Sequence, residues 1–522
     1  MAKFLKVLSF SIVSVFLSVC AHADVSTPYV TIPSTVTTTV IDLKADCGAV
    51  GDGVVNDTQA FQIAAQRLQT TNGGILNIPA GTYIVGEQYH QAGKYPYYKT
   101  KPLFKVQGLA GLLIEGNNAV IKIAPGLRFG SFDKDTGDVY TPPAMPFVNS
   151  SYRVGDIMLF SIRQSQNIII RNLEINGNSP DLILGGPWGD KGRQIPAYGF
   201  FLHGNSNVHI DQVKAHHLAL DGMSIGSPGL LETDPPTPHF ITDSQFEYNG
   251  RQGLSWVGGR GLSVYRSKFN HTGRSVNNNG LALVTAPASG LDIEAENAVV
   301  RDGYFEDCEF IDNQGAGMVA ESGNGGYTTF KRCTFWGTTN FSAWARKPGL
   351  KFEDSSFYGG VVHAVGSADA NLATQWIGCY FEDRPWTNGK VYRGNSGSFL
   401  LEVSGNLKNV LVKDCNFVAN TCRAVWTTGT STGRINFEGT TITHKKSDLP
   451  THSYQSLFRH ANFTGCHFKE SFAVDSTGLW YIGVENQGVA AAPSTVVEGP
   501  RVKWKNWSWG VTGTIAPTPI IP

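Results

Sequence analysis

Short runs in which apolar and polar residues alternate recur along most of this chain, punctuated by Gly, Asn and Asp. That two-residue period is the signature of strands, each with one face buried. The period of an amphipathic helix is rare. Its clearest instance is near the N-terminus, where Ala60, Ala64 and Leu68 fall on one face behind Asn56-Asp57-Thr58, residues suited to cap a helix.

The strand runs share a frame. FEDCEF holds Cys308, FKRCTF Cys333, WIGCYF Cys379, VKDCNF Cys415 and FTGCHF Cys466. The frame recurs around Leu173, Val213, Ser244, Ser267, Ser355 and Thr440, and most spacings are 22 to 26 residues. A fixed period of that length with no intervening helix marks a β-solenoid. The frame predicts an all-β, right-handed parallel β-helix with coils ~4.8 Å apart. The key residues then form an interior ladder of small side chains, without disulfides among the cysteines.

The frame also predicts neighbours on the outer surface. Ten positions after a key residue comes the next inward one: Met223 after Val213, Leu254 after Ser244, Met318 after Cys308, Ala343 after Cys333 and Val365 after Ser355. Gly290-Leu291 joins this series if the residues after Ser267 loop out; otherwise Gly280–Val284 takes the place and Asp292 moves into a loop. In the first case one outward row holds Ser224, Ser255, Asp292, Val319 and Trp344. A second holds Gly226, Val257, Glu294, Glu321 and Arg346. The pattern thus gathers Asp292, Glu294 and Glu321 into one patch, with Arg346 and Trp344 beside them. Clustered carboxylates repel one another, so at least one pKa rises unless a cation intervenes, which suits acid–base chemistry better than a purely structural role. The loop 270–289 carries His271 and Arg274 and is placed to overhang the patch as a wall.

Charge narrows the picture. Forty-two basic residues balance 42 acidic ones, which excludes a basic nucleic-acid binder and gives no global pull toward an anionic polymer. Lys3, Lys6, the apolar run Val7–Val19 and Ala21-His22-Ala23 have the form of a secretory leader cleaved after Ala23. The run is too short to span a membrane, and no later segment is a candidate span. Seven cysteines would follow the leader, an odd number that argues against a complete disulfide framework. The expected organisation is a leader over 1–23, a β-helix with an N-terminal capping helix over 24–480, and a C-terminal cap or tail over 481–522. The expected location is secreted or periplasmic.

DCGAVGDGVVNDTQAFQIAAQRL and the following GGILNIPAGTY, within 46–83, resemble the opening of the pectate-lyase-like superfamily of single-stranded right-handed β-helices. That superfamily includes rhamnogalacturonase-like hydrolases, epimerase-like proteins and tailspike depolymerases. The resemblance implies the fold, a polysaccharide substrate and a monomer or homotrimer. LDGMSIGSPG (Leu220–Gly229) and Arg266-Ser267-Lys268 are similar to stretches of family 28 polygalacturonases. Asp221 stands where that family has a histidine, and Tyr198-Gly199 where it has its catalytic aspartates, so its machinery does not carry over.

Three functions follow. In an inverting glycoside hydrolase without cofactor, Asp292, Glu294 and Glu321 supply the acid and base, while Trp344, Arg346, Arg274 and His271 bind sugar. In a lyase or C5-epimerase of uronic acids, the three carboxylates bind Ca²⁺ and Arg274, Lys347 or His271 takes the C5 proton. In a glycan-binding solenoid, the patch only binds.

Overall fold

The computed structural model describes residues 39–91, 98–133, 135–140, 154, 157–185, 197–391, 399–430, 433–445, 454–471, 480–485, 490–491, 494–498 and 502–507. The leader expected over 1–23 lies outside them. Among the described residues no helix is long and apolar enough to cross a membrane.

The chain is a right-handed parallel β-helix. Its three large sheets are formed by parallel pairing between successive coils, and the described antiparallel strand pair joins Gln88–His90 to Tyr98–Thr100. The parallel pairing continues past residue 480, where Trp480–Glu485 pairs with Val502–Trp507.

The predicted ladder is interior. Cys308, Cys333, Ser355, Cys379, Cys415, Thr440 and Cys466 are all at most 2% exposed, and the cysteines are free thiols. Rungs are tied by the backbone: Thr334 N donates to Cys308 O, Ser356 N to Cys333 O, and Tyr380 N to Ser355 O. Two residues beyond each rung a phenylalanine ladder stacks through Phe310, Phe335, Phe357, Phe381 and Phe417, with ring centroids 4.2–5.0 Å apart.

The residue before each rung turns the corner. Asp243, Arg266, Asp307, Arg332, Asp354 and Asp414 have φ between 47° and 56°, and Gly378, Gly439 and Gly465 take the same place. This left-handed corner explains why Asp and Gly recur there. Arg at two of these corners is offset by bidentate pairing, Arg266 with Asp243 and Arg332 with Asp307.

One helix, α1 (Thr58–Thr70), buries Ala60, Phe61, Ala64, Ala65 and Leu68. It packs on β1 (Phe104–Gln107), the terminal strand of the sheet that carries the candidate site. Gln69 bonds both backbone groups of Gln107 at 2.8 Å. Asp57 precedes the helix but makes no side-chain cap; its carboxylate accepts instead from Val50 N and Gly51 N.

After β1 the site sheet runs through β2 (Ile157–Arg163), β3 (Ala197–His203), β4 (Asp221–Gly226), β5 (Gln252–Trp256), β6 (Ser289–Arg301), β7 (Met318–Gly325) and β8 (Ala343–Ala345). Its inward row is Phe160, Phe200, Met223, Leu254, Leu291, Met318 and Ala343. Next comes Val361, not the expected Val365. The turn Gly359-Gly360 is shorter than the corresponding turn of the preceding coil, so the frame shifts there. Glycine precedes five of these inward residues, Phe200, Met223, Leu254, Leu291 and Met318, and it has a steric cause. A Cβ on Gly253 would lie 2.7 Å from Gly290 O, and one on Gly290 2.4 Å from Phe269 O.

Candidate active site

Strand pairing delivers the first outward row from Ser224 through Ser255, Asp292 and Val319 to Trp344, so SGLDIEAE occupies the coil position and Gly280–Val284 does not. Upstream the row continues through Phe201 to Ser161. The second row runs Arg163, His203 and Gly226; on the next two coils Val257 and Glu294 each follow the last paired positions, Trp256 and Ile293, by one residue, and Val257 N donates to Ile225 O. Two loops bound these rows. The loop 270–288 lies along the strand entrances, bonded to Asn249 and Gly250 and, further back, to Pro180 and Asp181. The loop after β4 lies at the strand exits, where Leu230 O accepts from Val299 N and Glu232 binds Arg301 and Asn324.

Asp292 faces outward but is 5% exposed, at the floor between these walls. Burial pushes its carboxyl up to about 7, and the neighbouring Glu294 adds to the push; a bond from the Gln252 amide and the Arg251 charge oppose it. Glu294 is also raised, by partial burial and by Glu296, while the Ser322 hydroxyl holds it back. Glu294 is the more open of the two.

Glu321 does not join them as the sequence frame places it. Ile293 pairs with Ala320 and Ala295 with Gly323, so Glu321 and Ser322 together stand opposite the single residue Glu294. This bulge brings Ser322 to Glu294. Glu321 pairs instead with Arg346 at 2.6 Å, both roughly half exposed. Trp344 packs on Phe341 and His363, with ring centroids 5.3 and 4.5 Å away.

His271 and Arg274 turn away from Asp292. His271 Nδ1 lies 3.1 Å from Asp312 Oδ2, and its ring stacks on Tyr248. The Arg274 guanidinium bonds the Asp312 and Asn313 carbonyls and the Gln314, Thr338 and Thr339 side chains, pinning the loop to the next two coils. Burial pushes Asp312 up, but the bonds from His271 and Thr338 and the Arg274 charge outweigh it and hold the carboxyl below its ordinary range.

Three residues that the sequence pattern did not place in the site complete it. Asp221, Gln252 and Ser289 stand in register at the strand entrances, each just before a glycine. Asp221 is fully buried and takes a bidentate pair from Arg251. Burial pushes Asp221 up and the Arg251 charge works against that. A polar residue before Gly in three consecutive coils was the available signal.

The Ca²⁺ alternative asks Asp292, Glu294 and Glu321 to converge. Glu321 sits on Arg346 and an amide N–H points at Asp292, so these residues do not fit that cation. Among the described residues no three His, Cys, Asp or Glu side chains form a metal-type group.

Fold and site together describe a right-handed β-helix with a carboxylate-bearing trough on one sheet. Residues 159–357 match the family model described as a right handed beta helix region. Among solved structures, the chain is similar to the A-module of Azotobacter vinelandii mannuronan C-5 epimerase AlgE4 at 14% identity and TM-score 0.43, over 84% of this chain and 99% of that one. It is similar to the tailspike gp49 of Acinetobacter baumannii bacteriophage Fri1, a capsular polysaccharide depolymerase, at 12% and 0.32, over 92% and 65%. It is similar to PfbA, a surface adhesin of Streptococcus pneumoniae, at 13% and 0.35, over 90% and 88%. No curated protein matches.

Proposed function

We propose that this protein is a polysaccharide-active enzyme, an inverting glycoside hydrolase in which Asp292 is the general acid and Glu294 the general base. The observation that carries this reading is a buried carboxyl at about 7 beside a second, more open carboxyl on the same strand face. Positions two apart on a strand are ~7 Å apart. That matches the ~6.5–9.5 Å separation that leaves room for a water between acid and base. Asp292 gives its proton to the glycosidic oxygen as the C–O bond breaks. Glu294 takes a proton from the water whose oxygen bonds the anomeric carbon from the opposite face. Ser224 and Ser255, on the row of Asp292, offer hydroxyls to the sugar. Glu321, Arg346 and Trp344 flank this centre and touch the substrate further along the row.

The test is a panel of polysaccharides incubated with purified protein in the presence of excess chelator. New reducing ends without ultraviolet-absorbing products support hydrolysis. Unsaturated, absorbing products indicate a lyase, and binding without products indicates a glycan-binding protein; either result overturns the reading.

A further inference from the structure

Four coils before Glu294, the same sheet face holds a cation with no counter-charge among the described residues. Arg163 Nε bonds Ser161 Oγ at 3.2 Å, Nη2 reaches Met158 Sδ at 3.6 Å, and the guanidinium lies 4.7 Å from the Phe201 ring centroid. Among the described residues no carboxylate pairs with it, whereas Arg251, Arg266, Arg274 and Arg332 all sit on carboxylates. Lys105 stands in register with Ser161 on the strand before, exposed and likewise without a described acidic partner. The outward residues between Arg163 and Glu294 carry no acid: His203, Gly226 and Val257 on one row, Phe201, Ser224 and Ser255 on the other.

This stretch is built rather than loose. The His203 ring stacks on Phe201 at 3.6 Å between centroids and bonds Ser224 Oγ at 3.1 Å. It lies over Gly226, where a Cβ would come within 2.7 Å of the ring. The guanidinium is thus held over an aromatic plate, its remaining N–H donors turned to no acidic group among the described residues. A planar fork of donors above an apolar ring fits a carboxylate carried on a sugar ring, the oxygens taking the fork and the ring lying along the plate.

We infer that the substrate is an acidic polysaccharide, and that Arg163, with Phe201 and Lys105, forms a subsite for a sugar carboxylate. Counting β2, β3, β4, β5 and β6, it lies ~19 Å along the trough from Glu294 at ~4.8 Å per coil. The inference rests on the trough proposed above as the active site and adds the class of polymer it takes. A cation on Arg163 and an acid–base pair at the other end polarise the trough, so an anionic chain is drawn to one end and cleaved at the other.

Equilibrium binding of the purified protein to polygalacturonate, alginate and hyaluronan, and to their carboxyl-reduced forms, tests this. At least one acidic polymer should bind, and carboxyl reduction or Arg163→Gln should weaken it tenfold or more. Arg163→Lys should recover part of the loss, and salt should weaken the wild type more than Arg163→Gln. No binding to any of the three, equal binding by Arg163→Gln, or equal binding of the reduced polymer overturns the subsite. The two proposals fail separately. Arg163-dependent binding with full turnover in Asp292→Asn leaves the subsite and removes the acid. Asp292-dependent cleavage that ignores Arg163 leaves the acid and removes the subsite.

Discussion

Gln252 donates its side-chain amide to Oδ2 of Asp292 on the next coil, while its own carbonyl oxygen is buried without a partner. A donor on one carboxyl oxygen leaves Oδ1 as the oxygen that carries the proton when the acid is neutral. The amide also stabilises the ionised form, against burial and against Glu294.

Asp292→Asn and Glu294→Gln should each lower kcat by ~10²–10⁴-fold, the usual contribution of a positioned acid or base. Glu321→Gln breaks only an exposed ion pair of ~0–1 kcal/mol and should cost less than tenfold. Steady-state rates on the cleaved polymer decide. Equal losses in all three variants would contradict the separation of Glu321 from the acid–base pair.

The pH profile should follow Asp292. An acid at about 7 must be protonated to work, so kcat/KM should fall on the alkaline side of neutrality. Gln252→Leu removes the donor that stabilises the carboxylate and should move this limb to higher pH. A limb that stays in place would detach Gln252 from the titrating group.

Asp292 also costs stability when charged. Its folded value lies above its ordinary one of 3.8, so the folded protein holds the proton more tightly. The stability this contributes is complete below about 4 and lost as pH rises through about 7. Asp292→Asn should therefore gain stability relative to wild type progressively from pH 4 to 8, by up to about 4 kcal/mol, with a matching rise in Tm. Thermal melts across that range check it, and a difference independent of pH would refute it.

His239 acts in the opposite sense. It is 2% exposed, its Nδ1 bonds Thr237 O, and burial pulls its value from 6.5 down to about 4. The unfolded chain binds the extra proton between those values, so stability present above about 6.5 is lost as pH falls toward about 4. His239→Gln should flatten this decline relative to wild type. Because His203 and His217 shift the same way and Asp292 the other, the variant-minus-wild-type difference is the quantity to measure.

Rungs of the interior ladder should tolerate Ser and reject bulk. Cys333 Sγ donates to Lys331 O just as Ser355 Oγ donates to Glu353 O. Cys333→Ser should cost less than Cys333→Leu, which overpacks the coil and should cost ~1–3 kcal/mol. Denaturant midpoints at matched m-values distinguish the two.

The rungs were legible in the sequence because each repeats a short local frame, and so was the row that carries Asp292. What was not legible arises between coils. The bulge that sets both Glu321 and Ser322 opposite Glu294 is one extra residue in a strand whose alternation looks regular. Asp312, which claims both His271 and Arg274, lies on a coil about forty residues on, and no local pattern announces the bond. Asp221 was noticed only for the histidine it replaces; its partner Arg251 emerges once adjacent coils are in register.

Arg163 and Glu294 stand on β2 and β6 of one sheet, in which each step from strand to strand is one coil. The separation of two such strands along the axis is therefore a whole number of ~4.8 Å intervals. Such a surface is a ruler with fixed ticks. A descendant that gained or lost one coil between β2 and β6 would change the reach from anchor to scissile bond by one tick, and by no amount in between. Selectivity for the repeat length of a polymer would then change in discrete jumps, while selectivity for a substituent could drift residue by residue.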